Sequence, residues 1–231
     1  MRTAVVTGAG RGIGAAVAEE LAARGDRVVL AARTLPELVG TASRISATGG
    51  VALPVRCDVT REDEVQRLFR EARDRFGPVE VLVNNAGAVD PSPVASMSLE
   101  AWRATLDANL TSAFLCSRAA LADMLAAKRG CIVNVSSVAG VNHIDKYPGF
   151  AAYASSKAAL IALTETLAAE VEEQGIRVLC VSPGSVETKM FAKVAPGVKA
   201  AMVPAEIARI VAFLASDDAK AASGSNLVVR G

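Results

Sequence analysis

A chain of 231 residues with a formal net charge of +1, 52% hydrophobic and 4% aromatic residues, has the size of one α/β domain and the composition of an aliphatic core under alanine-rich helices. So small a charge sets up no field to recruit nucleic acid or an anionic membrane, and no basic stripe interleaved with aromatics occurs. Cys57, Cys116, Cys131 and Cys180 stand too far apart to spell a metal or redox pair, so they read as reduced core thiols, with no metal site expected.

The first element, Thr3–Thr7, is an apolar run that ends at a glycine and reads as a buried strand. Threonine and glycine interrupt it too early for a signal peptide, and no unbroken apolar run of about 18 residues follows. A cytoplasmic protein that spans no membrane is expected, so the glycosylation triplets at Asn109 and Asn134 read as chance matches. Ile13–Arg24 carries Ile13, Val17 and Leu21 four apart and reads as a helix. The alternation continues with strands at Arg27–Ala32, Val51–Arg56, Val79–Val83, Cys131–Val135, Arg177–Val181 and Leu227–Val229. Helices are predicted at Leu35–Ala47, Arg61–Phe76, Leu99–Lys128, Ala152–Gln174 and Pro204–Ala215. Thr60, followed by Asp63 and Glu64, reads as the N-cap of the third helix. Strands apolar on both faces and separated by helices predict a parallel sheet of about seven strands, doubly wound in the Rossmann manner within one domain over residues 1–231. Ligands bind such a sheet at the carboxyl ends of its strands. Gly8 to Gly14, Ala32-Arg33, Asp58, Asn84 to Gly87, Ser136-Ser137 and Pro183-Gly184 all fall at those ends.

The first of these ends reads Thr7-Gly8-Ala9-Gly10-Arg11-Gly12-Ile13-Gly14. A glycine-rich turn between the first strand and first helix lets the backbone approach a pyrophosphate, which the free N–H groups and positive end of the helix attract. The spacing is wider in its first gap than the common dinucleotide fingerprint. A carboxylate at the end of the second strand selects NAD, because it accepts both ribose hydroxyls. That end is Ala31-Ala32-Arg33 and holds no acid. A guanidinium there pairs with a 2′-phosphate, and Arg11 lies near enough to help, so NADP is favoured over NAD.

Tyr153 and Lys157 stand four apart in a helical stretch and share one face. A tyrosine that gives its proton to a developing alkoxide needs a pKa moved from about 10 toward neutrality, at roughly 4 kcal/mol for three units. A cation about 4 Å away supplies that much at an effective dielectric near 20, so Lys157, helped by the charge of an oxidised nicotinamide, is expected to lower Tyr153. Ser137, at the end of the fifth strand, is placed to polarise the substrate oxygen, with Ser136 as the competing candidate. Asn109 sits inside a predicted helix, where asparagine is disfavoured unless it makes a specific hydrogen bond. A serine hydrolase is ruled out, because no G-x-S-x-G elbow exists and the only histidine, His143, reads as a loop residue.

TGAGRGIG at Thr7–Gly14, CDVT at Cys57–Thr60, NNAG at Asn84–Gly87, the Asn109 segment, NVSS at Asn134–Ser137, YASSK at Tyr153–Lys157 and SPGSVET at Ser182–Thr188 together resemble the short-chain dehydrogenase/reductase family over almost the whole chain. The resemblance is to 3-oxoacyl-acyl carrier protein reductases and related NADP-linked ketone reductases. It implies hydride transfer between a nicotinamide and a small carbonyl or alcohol substrate by a tetrad of Asn109, Ser137, Tyr153 and Lys157. In that tetrad the tyrosine is the acid–base and the lysine holds the nicotinamide ribose and lowers the tyrosine. The serine positions the substrate oxygen, and the asparagine anchors a relay water. The resemblance further implies a cofactor held by Gly8, Arg11, Gly12, Ile13, Gly14, Arg33, Asp58, Val59, Asn85, Ala86, Gly87, Tyr153, Lys157, Pro183, Gly184, Val186 and Thr188, and a homo-oligomer, dimer or tetramer, built on the two long helices. Against the family pattern, the stretch between Ser137 and Tyr153 is about three residues longer than usual, with the extra length around His143–Tyr147, and the segment Lys189–Val203 is short for a substrate lid, which predicts an open, loosely selective site or a substrate whose own bulk closes it. Val138, Val141, Met190 and Phe191 are the expected pocket residues. The alternative is a non-catalytic NADP-binding sensor on the same fold, which has no need of Ser137, Tyr153 and Lys157 together.

Overall fold

The computed structural model describes residues 1–231. Its strands are β1 (Thr3–Thr7), β2 (Arg27–Ala32), β3 (Val51–Arg56), β4 (Val79–Asn84), β5 (Gly130–Val135), β6 (Ile176–Pro183) and β7 (Asn226–Val229). Its helices are α1 (Gly12–Ala23), α2 (Leu35–Ala47), α3 (Glu62–Phe76), α4 (Leu99–Leu106), α5 (Ser112–Ala127), α6 (Ala151–Val171), α7 (Lys189–Val194) and α8 (Pro204–Leu214). The strands form one sheet in the order β3-β2-β1-β4-β5-β6-β7, every neighbour parallel. The order reverses between β1 and β4, which opens a crevice at their carboxyl ends.

Strand side chains alternate between two apolar layers, as the period of two requires. Ala4 and Val6 of β1, Val81 and Val83 of β4 and Val133 of β5 pack with α1 and α8 through Val17, Leu21, Ile207 and Val211. Val5, Leu82 and Ile132 face the other way and pack with α3 and α5 through Leu68, Phe69, Cys116 and Met124. Both faces are therefore covered over the five inner strands, where the two-sided apolar reading holds, while the edge strands β3 and β7 are partly exposed. All four cysteines are buried free thiols.

Three expectations change in detail. The helix expected over Leu99–Lys128 is α4 and α5 joined by a π-turn at Asp107–Thr111, the kind of widened turn that helices use at functional positions. The run Leu99–Ala127 is long and apolar enough to cross a membrane by length and mean composition alone, although charged residues from Glu100 to Asp123 interrupt it. It packs instead against the sheet, with Ala113, Leu115, Cys116, Ala120 and Met124 buried. Thr60 is not the N-cap of α3, because Arg61 takes that position without a side-chain cap. Thr60 turns back to Asp58, whose Oδ1 accepts from its amide at 3.0 Å and its hydroxyl at 2.8 Å. The segment after Thr188 contains the short helix α7, which no periodicity marked.

Candidate active site

The glycine-rich turn forms the floor of the crevice. Gly8 and Gly12 adopt positive φ, +65° and +57°, which a side chain disfavours. A Cβ on Gly14 would stand 2.3 Å from the Gly8 carbonyl, so that position must stay bare for α1 to pack against the turn. α1 begins with no side-chain cap and no acid in its first turn, which leaves its amides and positive end for a ligand. Thr7 ties this turn to the NNAG segment. Its hydroxyl accepts from the amides of Asn85 and Ala86, both at 3.0 Å, and Asn85 Nδ2 donates to the Thr7 carbonyl at 2.9 Å. A cleft lined by Gly10, Arg11, Gly12, Thr188 and Lys189, among others, runs along this turn with a volume of about 490 Å³. The bare glycines, the uncapped helix and the flanking guanidinium fit a dinucleotide with its pyrophosphate on α1.

The other expected cofactor residues lie along the same rim, some with their side chains turned inward. Arg33 is exposed beyond β2. Burial raises Asp58, but hydrogen bonds from Thr60 and the charges of Arg33 and Arg61 outweigh it and hold the carboxylate below its usual range. Val59 packs its side chain into the layer under α3, so only its backbone is open to a ligand. Val186 is buried and pairs with Met202 in a short parallel bridge. Thr188 caps α7, its hydroxyl accepting from the Phe191 amide at 3.1 Å. Gly184 donates its amide to the Val229 carbonyl at 2.7 Å, closing the rim beside Pro183.

The four expected catalytic side chains converge at the ends of β4 and β5. Asn109 is buried in the π-turn. Its Nδ2 donates to the Ala88 carbonyl at 2.9 Å and to Ser156 Oγ at 3.0 Å, and its Oδ1 accepts from the Ala88 amide at 2.8 Å. The side chain is therefore spent. Ser156 in turn donates to the Tyr153 carbonyl at 2.7 Å, so the π-turn is pinned to α6 beside the tyrosine. Sequence reasoning passed over Ser156, whose only mark is its place inside YASSK. Ser156→Ala is expected to destabilise the protein by about 1–3 kcal/mol, because it leaves a buried Asn109 N–H without a partner. Urea midpoints of the two proteins check this, and an unchanged midpoint argues against the contact.

Burial separates the two candidate serines. Ser136 Oγ donates to the Lys157 carbonyl at 2.8 Å and is buried. Ser137 is half-buried and its hydroxyl faces the Tyr153 phenol. Lys157 Nζ is buried, donates to the Val135 carbonyl at 2.9 Å, and lies 5.8 Å from the Tyr153 ring centre. Burial pushes its pKa down to about 8, against a smaller opposing pull from Cys180. Lys157 alone does not draw Tyr153 toward neutrality in this structure. Burial raises the Tyr153 phenol above its ordinary value, and the Ser137 hydrogen bond offsets only part of that. A site too dry for a phenolate also holds the ammonium weakly.

The long stretch before α6 lies at the mouth of the site. His143 is exposed at φ +61° and belongs to the loop, as expected. Lys146, which the sequence did not single out, donates to the carbonyls of Ala139 and Val141 at 2.8 and 2.6 Å. It thereby fastens the loop back on the turn that follows Ser137. Tyr147 is 59% exposed and meets Phe150, which meets Tyr153 edge-on at 6.1 Å. Across the opening, Lys193 of α7 pairs with Asp90 at 3.1 Å.

Residues 2–199 match the short chain dehydrogenase family. The chain is 39% identical over 228 residues to a 3-oxoacyl-[acyl-carrier-protein] reductase of Synechocystis sp., covering 95% of this chain and 91% of the relative. Among solved structures, it is similar to an actinorhodin polyketide ketoreductase variant with NADPH, with a TM-score of 0.93, 32% identity, and coverage of 100% of this chain and 96% of the other. It is also similar to a 7α-hydroxysteroid dehydrogenase complexed with NADH and a 7-oxo bile acid, with a TM-score of 0.94, 31% identity, and coverage of 99% and 92%.

Proposed function

The chain belongs to the short chain dehydrogenase family and is an oxidoreductase of carbonyl or alcohol substrates, and from that premise we propose that it is an NADP-dependent ketone reductase whose catalytic groups are Ser137, Tyr153 and Lys157, with Asn109 positioning them. The carrying observation is the meeting of Ser137, Tyr153 and Lys157 at one strand rim, beside an uncapped helix that opens on a glycine turn.

A bound nicotinamide supplies the hydride. The protein's part is to hold the substrate oxygen and move a proton to it or from it. Tyr153, protonated at neutral pH because its phenolate is disfavoured by burial, donates to the oxygen as negative charge builds there. Ser137 donates a second hydrogen bond to the same oxygen, where charge develops. Lys157 holds a cation beside the ring and has donors left for the nicotinamide ribose beyond the one spent on Val135. Because the side chain of Asn109 is spent on Ala88 and Ser156, a relay water is held by the backbone of the π-turn.

A 3-oxoacyl thioester or a related ketone is the proposed substrate class, in keeping with the Synechocystis relative. The short α7 leaves the mouth open to a substrate whose own bulk fills it. One domain carries both cofactor and catalytic groups, in a cytoplasmic homo-oligomer. NADP is favoured by Arg33, which stands where an NAD-selecting acid would be. Arg33→Ala is expected to weaken NADPH about tenfold or more and NADH by much less, since a guanidinium–phosphate pair is lost only with the former. Titration of both dinucleotides checks this, and equal weakening would make Arg33 structural only.

A further inference from the structure

The glycine turn carries a second guanidinium, Arg11, and the structure shows what holds it. Arg11 Nη1 donates to Glu37 Oε1 at 3.3 Å, with the carboxylate 31% exposed and the guanidinium 63%. Glu37 lies in the first turn of α2, where an acid is favoured by the helix's positive end. Gly10 makes room for it, since a Cβ there would stand 2.9 Å from Glu37 Cβ and 3.1 Å from Oε2. One turn on, the Thr41 hydroxyl shares its proton between the Glu37 carbonyl at 3.2 Å and the Gly10 carbonyl at 3.4 Å and accepts from Arg44 at 3.1 Å, while Arg44 also reaches Glu19 at 2.7 Å. α2 is thus fastened to the phosphate turn, and its carboxylate is fixed beside Arg11. Arg33 approaches from the segment just before the same helix.

We infer that Glu37 sets the margin between the two dinucleotides by competing with a 2′-phosphate for Arg11. A phosphate bound between Arg33 and Arg11 must take Arg11 from Glu37 and then lie near a fixed carboxylate of like charge. A free 2′-hydroxyl meets no such opposition, because it is a donor and the carboxylate an acceptor. Glu37 therefore holds NADP binding below what the two guanidiniums alone would give, and narrows its lead over NAD. The inference rests on the placement of the adenosine ribose in the reading above, and goes beyond it by naming the acid that sets the preference.

The test is the pair of dissociation constants for NADPH and NADH, measured by titration with the full chain, its Glu37→Gln variant, and the same change on an Arg11→Ala background. Each is measured at low and at high salt. Glu37→Gln is expected to tighten NADPH about threefold and to leave NADH unchanged or weaker, in keeping with a part-exposed ion pair. The gain is expected to shrink at high salt and on the Arg11→Ala background. An unchanged NADPH-to-NADH ratio overturns the inference, as does equal tightening of both, which would mean only relief of charge at the pyrophosphate. A parent protein that binds NADH more tightly than NADPH overturns the NADP reading instead, while the shift in ratio still decides the case of Glu37.

Discussion

Tyr153→Phe is expected to lower turnover by about 10²–10⁴-fold while dinucleotide binding stays within about twofold of the parent. In the proposed arrangement the phenol is the group that meets the carbonyl oxygen, while the Lys157 ammonium is tied to the Val135 carbonyl. Burial holds the phenol protonated, and Ser137 faces it but is far too weak an acid to replace it. The ring itself remains in the variant, so its edge-on contact with Phe150 and the local packing survive. Steady-state rates on a ketone, with cofactor titration alongside, separate the two effects. Activity that persists in the phenylalanine variant would remove Tyr153 from the chemistry, and loss of cofactor binding would make it structural.

Lys157→Met is expected to abolish turnover and at the same time to stabilise the protein at neutral pH. The folded ammonium titrates near 8, against 10.5 for an ordinary lysine. At pH 7 both states carry the proton, and holding it in the folded state costs about 3 kcal/mol. Between pH 8 and 10.5 the unfolded chain binds more protons than the folded one, so the stability of the parent rises with pH across that window. Methionine fills a similar volume without charge, but it leaves the Val135 carbonyl without its partner, at about 1–2 kcal/mol. The net gain at pH 7 is about 1 kcal/mol or more, read as a rise of about 3 °C in the thermal midpoint. That gain is expected to vanish, and then reverse, by about pH 10. A variant less stable than the parent at pH 7 would show that Lys157 is held comfortably, and the dry-site account of Tyr153 would fail with it. A catalytic group kept at a cost in stability is common in active sites.

Most of the fold could be read from the chain because its five inner strands are buried on both faces. Runs such as Thr3–Thr7 and Arg27–Ala32 have no polar alternation, and their ends coincide with glycine, arginine or asparagine. The site was legible for the same reason, since residues at strand ends of a parallel sheet meet at one rim whatever the loops do. Four features stayed out of reach. The π-turn at Asn109 follows from one side chain reaching back to Ala88 and across to Ser156, a tertiary bond that periodicity does not report. Thr60 looked like a cap because acids follow it, but the Asp58 carboxylate captured it first. The opposing part of the Tyr153 balance was missed because an argument from paired charges leaves out burial, which acts on the tyrosine and the lysine together. Glu37 went unremarked because nothing in one dimension places it, four positions after Arg33, against Gly10 and Arg11.

The central claim is that this chain moves a hydride to a carbonyl carbon while Tyr153 supplies the proton. The most direct test incubates the protein with NADPH carrying deuterium at the transferable position and a panel of ketones that includes a 3-oxoacyl thioester. The alcohol is then weighed, with Tyr153→Phe as the blank. One deuterium on the carbinol carbon, absent with the blank, is the result predicted. Bound NADPH with no labelled alcohol from any ketone, and no difference between parent and blank, would contradict the claim and leave a nucleotide-binding protein without this chemistry.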